Sequence, residues 1–389
     1  MQHYVTAWLL LQLLCFSLSA QDPFSTHFYN NQSAFNPALT GQRGALSVDM
    51  KAKSQWSSAQ VAAFRSGSFN LEESLPCALL DYGLHAQFDE EGDGRFRTYD
   101  VGFRFAGTIP IEQLNHLHNI RIGASLQWSY KTIDYSRLVF SDQLDAKYGN
   151  MFGSSFVAPN DGQSNVFFTP AVGIAYRGLF NSRSRRATTL TAGLSLHNAY
   201  SLGADYLGNE ESILGLGTKI PPRFVGFIEA EILPFVENGS YLSIRPLLLY
   251  QRQSRPTFAP GGSVQYWEAG TRFSLSRVLT AGFFYHFTGR PTDGGFQTNW
   301  MTISLEMGTI FGSRSDRRVD LGFAYSNNFS GLRNAVGPLF EASVSVHLLR
   351  SPGCRMLGRP GVGNSANGLP CPAMRSTARR KLYENIWYE

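Results

Sequence analysis

Stretches of about ten residues in which apolar and polar side chains alternate recur along almost the whole of this chain, and they constrain its fold more than any other feature. In the clearest of them Ile120, Ile122, Ala124, Leu126, Trp128 and Tyr130 are apolar, while Arg121, Gly123, Ser125, Gln127, Ser129 and Lys131 between them are small or polar. A period of two puts the two sets on opposite faces of a strand. One face is apolar enough for lipid and the other suits a wet interior.

The pattern returns at Leu46–Ala52, Tyr82–Phe88, Tyr99–Phe105, Val166–Tyr176, Leu190–Leu196, Phe224–Ile232, Leu242–Tyr250, Leu279–Phe287, Met301–Met307, Val319–Tyr325 and Phe340–Leu348. Val61–Leu71 and Gly262–Phe273 alternate poorly, but the spacing calls for a strand in each. The total is about fourteen, the even number expected of single-chain outer-membrane barrels. Soluble strands average only about five or six residues, so a soluble sandwich fits less well. Charged residues make up 16% of the chain and aromatics 13%, a balance suited to lipid-facing strands.

The only long apolar run, Val5 to Leu18, is too short to cross a bilayer as a helix and ends in small residues before Gln21. Residues 1–20 read as a secretory signal peptide. A mature chain in a membrane must then cross it as a closed barrel. Connection lengths orient it: the two longest, Tyr135 to Asn165 and Tyr200 to Pro222, are the fifth and seventh and share one face. The short even-numbered connections, Phe235–Gly239, Ser274–Ser276 and Gly312–Arg317, lie on the other. Short turns face the periplasm, so both termini are expected there. The expected division is a signal peptide over 1–20, an N-terminal periplasmic or plug segment over 21–44, the transmembrane barrel over 45–350 and a basic tail over 351–389.

The formal charge of +5 sits entirely at the C-terminal end. From Arg350 onward there are seven Lys or Arg against Glu384 and Glu389, leaving a neutral body. A short positive tail on a neutral body argues against nucleic acid and for a local docking segment. Arg379, Arg380, Lys381, Tyr383, Trp387 and Tyr388 combine the cations and large aromatics that buried interface cores favour. They are the candidate partner-docking residues. Of Cys77, Cys354 and Cys371, all on the expected periplasmic side, Cys354 and Cys371 are the preferred candidate disulfide because they are close in sequence, the alternative being a bridge from Cys77 that pins the tail to the barrel rim.

Other chemistry is weakly signalled. Asp89, Glu91, Asp93 and Gly94, with Asp100 at the twelfth position, resemble half a calcium loop, but a Gly-Asp-Gly stretch between alternating runs reads first as a hairpin. The eight histidines are scattered, with His116 and His118 in a short connection and His85, His197, His286 and His347 facing the interior. No catalytic, cofactor or metal residues are assigned: no phosphate loop, paired-cysteine motif or zinc spacing is present.

The mature start, Gln21-Asp22-Pro23-Phe24-Ser25, then Asn30-Asn31 and Asn36-Pro37-Ala38-Leu39-Thr40-Gly41, resembles the opening of the PorP/SprF family of type IX secretion system membrane proteins. Gly44 to Trp56, Leu194-Ser195-Leu196-His197-Asn198 and Leu339 to Val344 resemble further segments of that family. The resemblance covers most of residues 21 to 350. It implies a non-enzymatic outer-membrane barrel of the type IX secretion and gliding-motility machinery. The implied partners are the periplasmic ring lipoprotein with its associated proteins, or a surface adhesin. In the Asn-Pro-Ala turn, Pro37 restricts Asn36 to extended geometry and Gly41 permits a tight bend into the first strand, so these residues are expected to serve as a turn or partial plug. The alternatives are a passive porin or a channel for apolar solutes, and third an outer-membrane hydrolase.

Overall fold

The computed structural model describes residues 28–42, 46–55, 64–75, 80–92, 94–113, 116–145, 147–157, 164–180, 188–199, 221–237, 240–254, 263–276, 278–288, 299–311, 317–329 and 337–348. Five strands come first: β1 (Leu46–Gln55), β2 (Phe64–Leu75), β3 (Leu80–Glu91), β4 (Phe96–Gln113) and β5 (His116–Thr132). A two-rung hairpin, β6 (Leu144–Asp145) and β7 (Gly149–Asn150), interrupts them. Then follow β8 (Ser164–Phe180), β9 (Thr188–His197), β10 (Arg223–Glu237), β11 (Ser240–Ser254), β12 (Ser263–Leu275), β13 (Leu279–Thr288), β14 (Asn299–Phe311), β15 (Arg317–Asn328) and β16 (Leu339–Leu348). All but β6 and β7 form one closed antiparallel barrel, each strand pairing with the next in sequence and β1 closing on β16 from Leu46↔Leu348 to Gln55↔Leu339. Fourteen strands of ten residues or more leave no sheet edge unpaired, as a bilayer requires.

The alternation is realised as expected. Ile122, Leu126 and Trp128 are more than half exposed, and Arg121 and Ser129 on either side of them are buried. Outward aromatics gather towards the rim carrying the long connections. There Tyr250 packs on Trp267 (4.5 Å), Trp267 lies parallel to Phe287 (6.1 Å, 5°) and Trp128 stacks on Phe168 (6.4 Å). Rings at this level sit where an aromatic girdle meets the headgroups.

Both poorly alternating segments are strands, as the spacing required. At the end of β2 alternation stops, because Glu72, Glu73 and Ser74 are all buried. The connection before β5 is shorter than expected: residues 114–115 alone join β4 to β5, so His116 and His118 belong to β5, and His118 Nδ1 lies 2.5 Å from the Tyr176 hydroxyl. The fifth connection carries structure of its own. It packs back on the β3–β4 hairpin, where the Asp134 amide donates to Gly94 O (2.9 Å) and a Cβ at Gly94 would press on Leu138.

That connection is tied by carboxylates. Asp142 accepts from the Ser155 amide (2.6 Å) and Asp145 from the amides of Lys147 (2.7 Å) and Tyr148 (2.9 Å). These bonds favour the charged form and hold both carboxyls below the usual aspartate range. A depressed pKa contributes order that is present above the unfolded value, near about 3.9, and is lost as pH falls below it. Hydrogen-exchange protection of residues 133–157, corrected for the intrinsic pH dependence of exchange, is therefore expected to stay flat from pH 7 to about 4 and to fall below that.

Candidate functional site

Inside the barrel the chain from Phe28 to Gln42 forms a compact plug: a 3-10 turn Phe28–Asn30, one helical turn Gln32–Phe35 and a second 3-10 turn Pro37–Leu39. The Asn36 side chain caps the last turn, accepting from the Ala38 amide at 2.9 Å, and Pro37 supplies the helical φ at its first position. Gly41 at φ +70° ends the plug, and a Cβ there would lie 2.8 Å from the Asp81 Cβ. The bend therefore demands glycine twice over, for its dihedral and for space.

The wall is shaped to receive this turn. Gly123 of β5 stands opposite Gly173 of β8, and Gly193 of β9 lies one step along the lumen face. A Cβ at Gly123 would fall on the peptide joining Pro37 to Ala38, and at Gly173 or Gly193 on the Asn36 amide. With no side chains in the way, Asn36 reaches the wall backbone and donates through Nδ2 to Ile174 O (3.0 Å) and Leu194 O (3.1 Å).

A segment that joins no sheet must satisfy its own backbone groups elsewhere, and wall side chains supply the partners. Phe35 O accepts from Ser195 Oγ (2.5 Å) and lies 3.0 Å from His197 Nε2; Ala38 O accepts from Arg121 Nε (2.7 Å); Thr40 O accepts from Arg121 Nη2; and Gly41 N donates to Glu72 Oε2 (2.9 Å). Arg121 is 3% exposed and also meets Asp81 at 2.5 Å and Thr108 at 3.1 Å. Beside it Arg104 donates to Ser33 (2.7 Å) and Asn70 (3.1 Å), and Ser33 donates in turn to Glu72.

The opposite side of the plug is apolar. Phe28, Tyr29, Phe35 and Leu39 are packed against Val225, Phe227, Leu247, Leu249 and Phe284 of the wall. Phe28 lies 5.1 Å from Phe227 and 5.3 Å from Phe35, centroid to centroid. Tyr29 donates to Arg245 O (3.3 Å) beneath the Arg272 guanidinium, 4.3 Å from its ring, and its burial raises the phenol's pKa well above normal. Fully burying a side chain such as Phe28 or Leu39 stabilises by about 1.5–3 kcal/mol, so the plug is held from two sides by different forces.

Exchanging one atom of the capping side chain tests the polar side. Asn36→Ala removes two bonds to the wall, about 1 kcal/mol each, and is expected to speed amide exchange across residues 28–42 roughly thirtyfold. Asn36→Asp keeps the cap but points a carboxylate at two carbonyl oxygens, and is expected to exceed Asn36→Ala.

On the long-loop side of the plug, Glu268, Tyr266, His286, Thr302 and Ser326 form a buried chain. His286 Nδ1 lies 2.6 Å from the Tyr266 hydroxyl and 3.7 Å from Glu268 Oε2, and its Nε2 lies 2.8 Å from Thr302 Oγ1. The three residue types match a nucleophile, base and orienting acid, yet Thr302, His286 and Glu268 are each 0% exposed. Trp300 stacks flat on the imidazole at 5.1 Å and 10°. The chain stitches β12 to β15 together, with no path for a substrate to the hydroxyl among the described residues.

On the short-turn side the lumen opens into a vestibule lined by the plug residues Tyr29, Gln32 and Gln42 and by charged groups of β8 to β16. Arg245 pairs with Glu231 (2.7 Å), Arg272 with Glu306 (2.9 Å), and Asp320 with Arg318 (2.5 Å) and His347 (3.3 Å).

Of the residues singled out from sequence, His85, His197, His286 and His347 do face the interior, and Asn36–Gly41 is a turn buried in it. Among the described residues no group of three or more His, Cys, Asp or Glu is placed to hold a metal ion. Arg379, Arg380, Lys381, Tyr383, Trp387, Tyr388, Cys77, Cys354, Cys371 and Asp93 lie outside the described residues. Sequence reasoning missed Arg104, Arg121, Glu72 and Asp81, and the glycines facing Asn36. Their signal was an ionic residue or a glycine at a lumen position of an otherwise ordinary strand.

A closed antiparallel barrel with an apolar outer belt and an N-terminal plug is an outer-membrane protein. The chain belongs to the PorP/SprF family: the family model described as type IX secretion system membrane protein PorP/SprF matches residues 17–346, most of its length. No match was found among curated proteins. Among solved structures the chain is similar to the toluene transporter TodX of Pseudomonas putida (9% identity, 85% of this chain and 95% of that one, TM-score 0.40). It is also similar to the transport unit of the autotransporter AIDA-I of Escherichia coli (10%, 88% and 97%, 0.29) and to an anion-selective porin of Comamonas acidovorans (9%, 78% and 98%, 0.28). Likenesses this distant carry no information about function.

Proposed function

We propose that this type IX secretion membrane component works as a plugged, non-conducting and non-enzymatic barrel. Its short-turn rim and both termini face the periplasm, and there it docks the secretion ring lipoprotein and associated proteins, or a surface adhesin in transit. The observation that carries this reading is the seated plug: residues 28–42 lie in the lumen with buried apolar and hydrogen-bonded contacts, which obstructs the solute path that a porin or an apolar-solute channel needs. Short turns on the face where β1 begins and β16 ends support the orientation. The tail residues Arg379, Arg380, Lys381, Tyr383, Trp387 and Tyr388 are the proposed docking contacts.

The test is recovery of partners from native outer membranes in mild detergent with a loop-tagged chain. Intact protein is expected to bring down a periplasmic lipoprotein or a large surface protein, and a chain lacking residues 375–389 to lose it. Unchanged recovery after that deletion rules out the tail as the docking element.

A further inference from the structure

The vestibule holds two charges that its other pairs leave over. Arg177 of β8 and Glu229 of β10 both line it and attract each other through space, yet among the described residues neither makes a side-chain hydrogen bond or a close ion pair. Arg177 Nε and Arg245 Nε are buried without a hydrogen-bond partner, as is Gln42 Oε1. Buried polar groups are almost always satisfied, and a cluster of exceptions around one cavity calls for something to fill it. A guanidinium and a carboxylate without close partners are complementary to a peptide bearing an acid and a base a few residues apart.

We propose that the vestibule binds the chain's own C-terminal segment, residues 379–389, with Arg177 taking the Glu384 carboxylate and Glu229 taking Lys381. The segment starts from the correct side: β16 ends at Leu348, and His347 lines the vestibule. From Leu348 to Glu384, extended chain of ~3.3 Å per residue far exceeds the distance across a barrel. Between Arg350 and Ala378 the tail carries only cations, whereas Arg379, Arg380, Lys381 and Glu384 put both signs within one short run. The inference deepens the docking reading by stating where the tail rests when no partner holds it, and a partner would then compete with the vestibule for the same residues.

Photocrosslinking in the purified full-length chain tests it, with p-benzoylphenylalanine in place of Tyr383 and crosslinked peptides identified by mass spectrometry. Crosslinks are expected into β8, β10 and β11 of the same molecule. Arg177→Glu is expected to lower their yield at least fivefold, and adding Glu384→Arg to restore it, a recovery that a misfolded barrel does not give. Crosslinks confined to the outer rim or to other molecules, or a yield indifferent to both substitutions, would overturn the proposal. No partner is present in this experiment, so its failure leaves the partner-recovery test untouched.

Discussion

Gly173→Val is expected to expel the plug from its seat while leaving the barrel closed. The Cβ alone would overlap the Asn36 amide, and two further methyl groups have nowhere to go, because Gly123 and Gly193 on either side are occupied by the same turn. Overpacking a fitted core usually costs about 1–3 kcal/mol. Here the loss of the Asn36 bonds to Ile174 O and Leu194 O is added, at about 1 kcal/mol each. Amide exchange across residues 28–42 is expected to rise by two orders of magnitude or more, with the strands unchanged and the barrel still heat-modifiable on a gel. Exchange in 28–42 that matches wild type would mean that the glycines do not form the seat.

Arg121→Met is expected to be the most damaging single substitution of a charged residue. Arg121 donates to Ala38 O and Thr40 O and pairs with the Asp81 carboxylate, and removing one partner of a buried pair costs about 3–5 kcal/mol because the other charge is stranded. Asp81 keeps only the Leu75 amide, at 3.2 Å. The second substitution Asp81→Asn removes the stranded charge and is expected to recover a large part of the loss, as neutralising both partners generally does. Urea unfolding from lipid vesicles measures both. A single variant within about 1 kcal/mol of wild type, or a double variant no better than the single, would contradict the assignment of Arg121 as the plug's main anchor.

How far the sequence could be read is decided by the period of two. It states which side of a strand a residue occupies, and the fourteen strands, their order and the rim of the long connections follow from it. It does not state what the inner side meets. Several residues that touch the plug stand where alternation fails: Leu247, Leu248 and Leu249 are consecutive leucines because the first and third face the plug and the middle one faces outward. Phe283 and Phe284 do the same on β13, and Glu72, Glu73 and Ser74 do it with polar side chains on β2. Such breaks read as noise in a single strand and become a pattern only when the closed barrel brings them round one segment. The turn at Asn36–Gly41 was legible because proline and glycine restrict the backbone locally. Its seat was not, since a glycine in a strand has many uses.

Planar-bilayer conductance of the intact, full-length protein tests the central claim most directly, with Gly173→Val as the comparison. A silent intact barrel, and currents that appear with Gly173→Val, are the predicted results. Steady open-channel currents from the intact barrel would show that the lumen conducts with its plug in place, and would contradict the account.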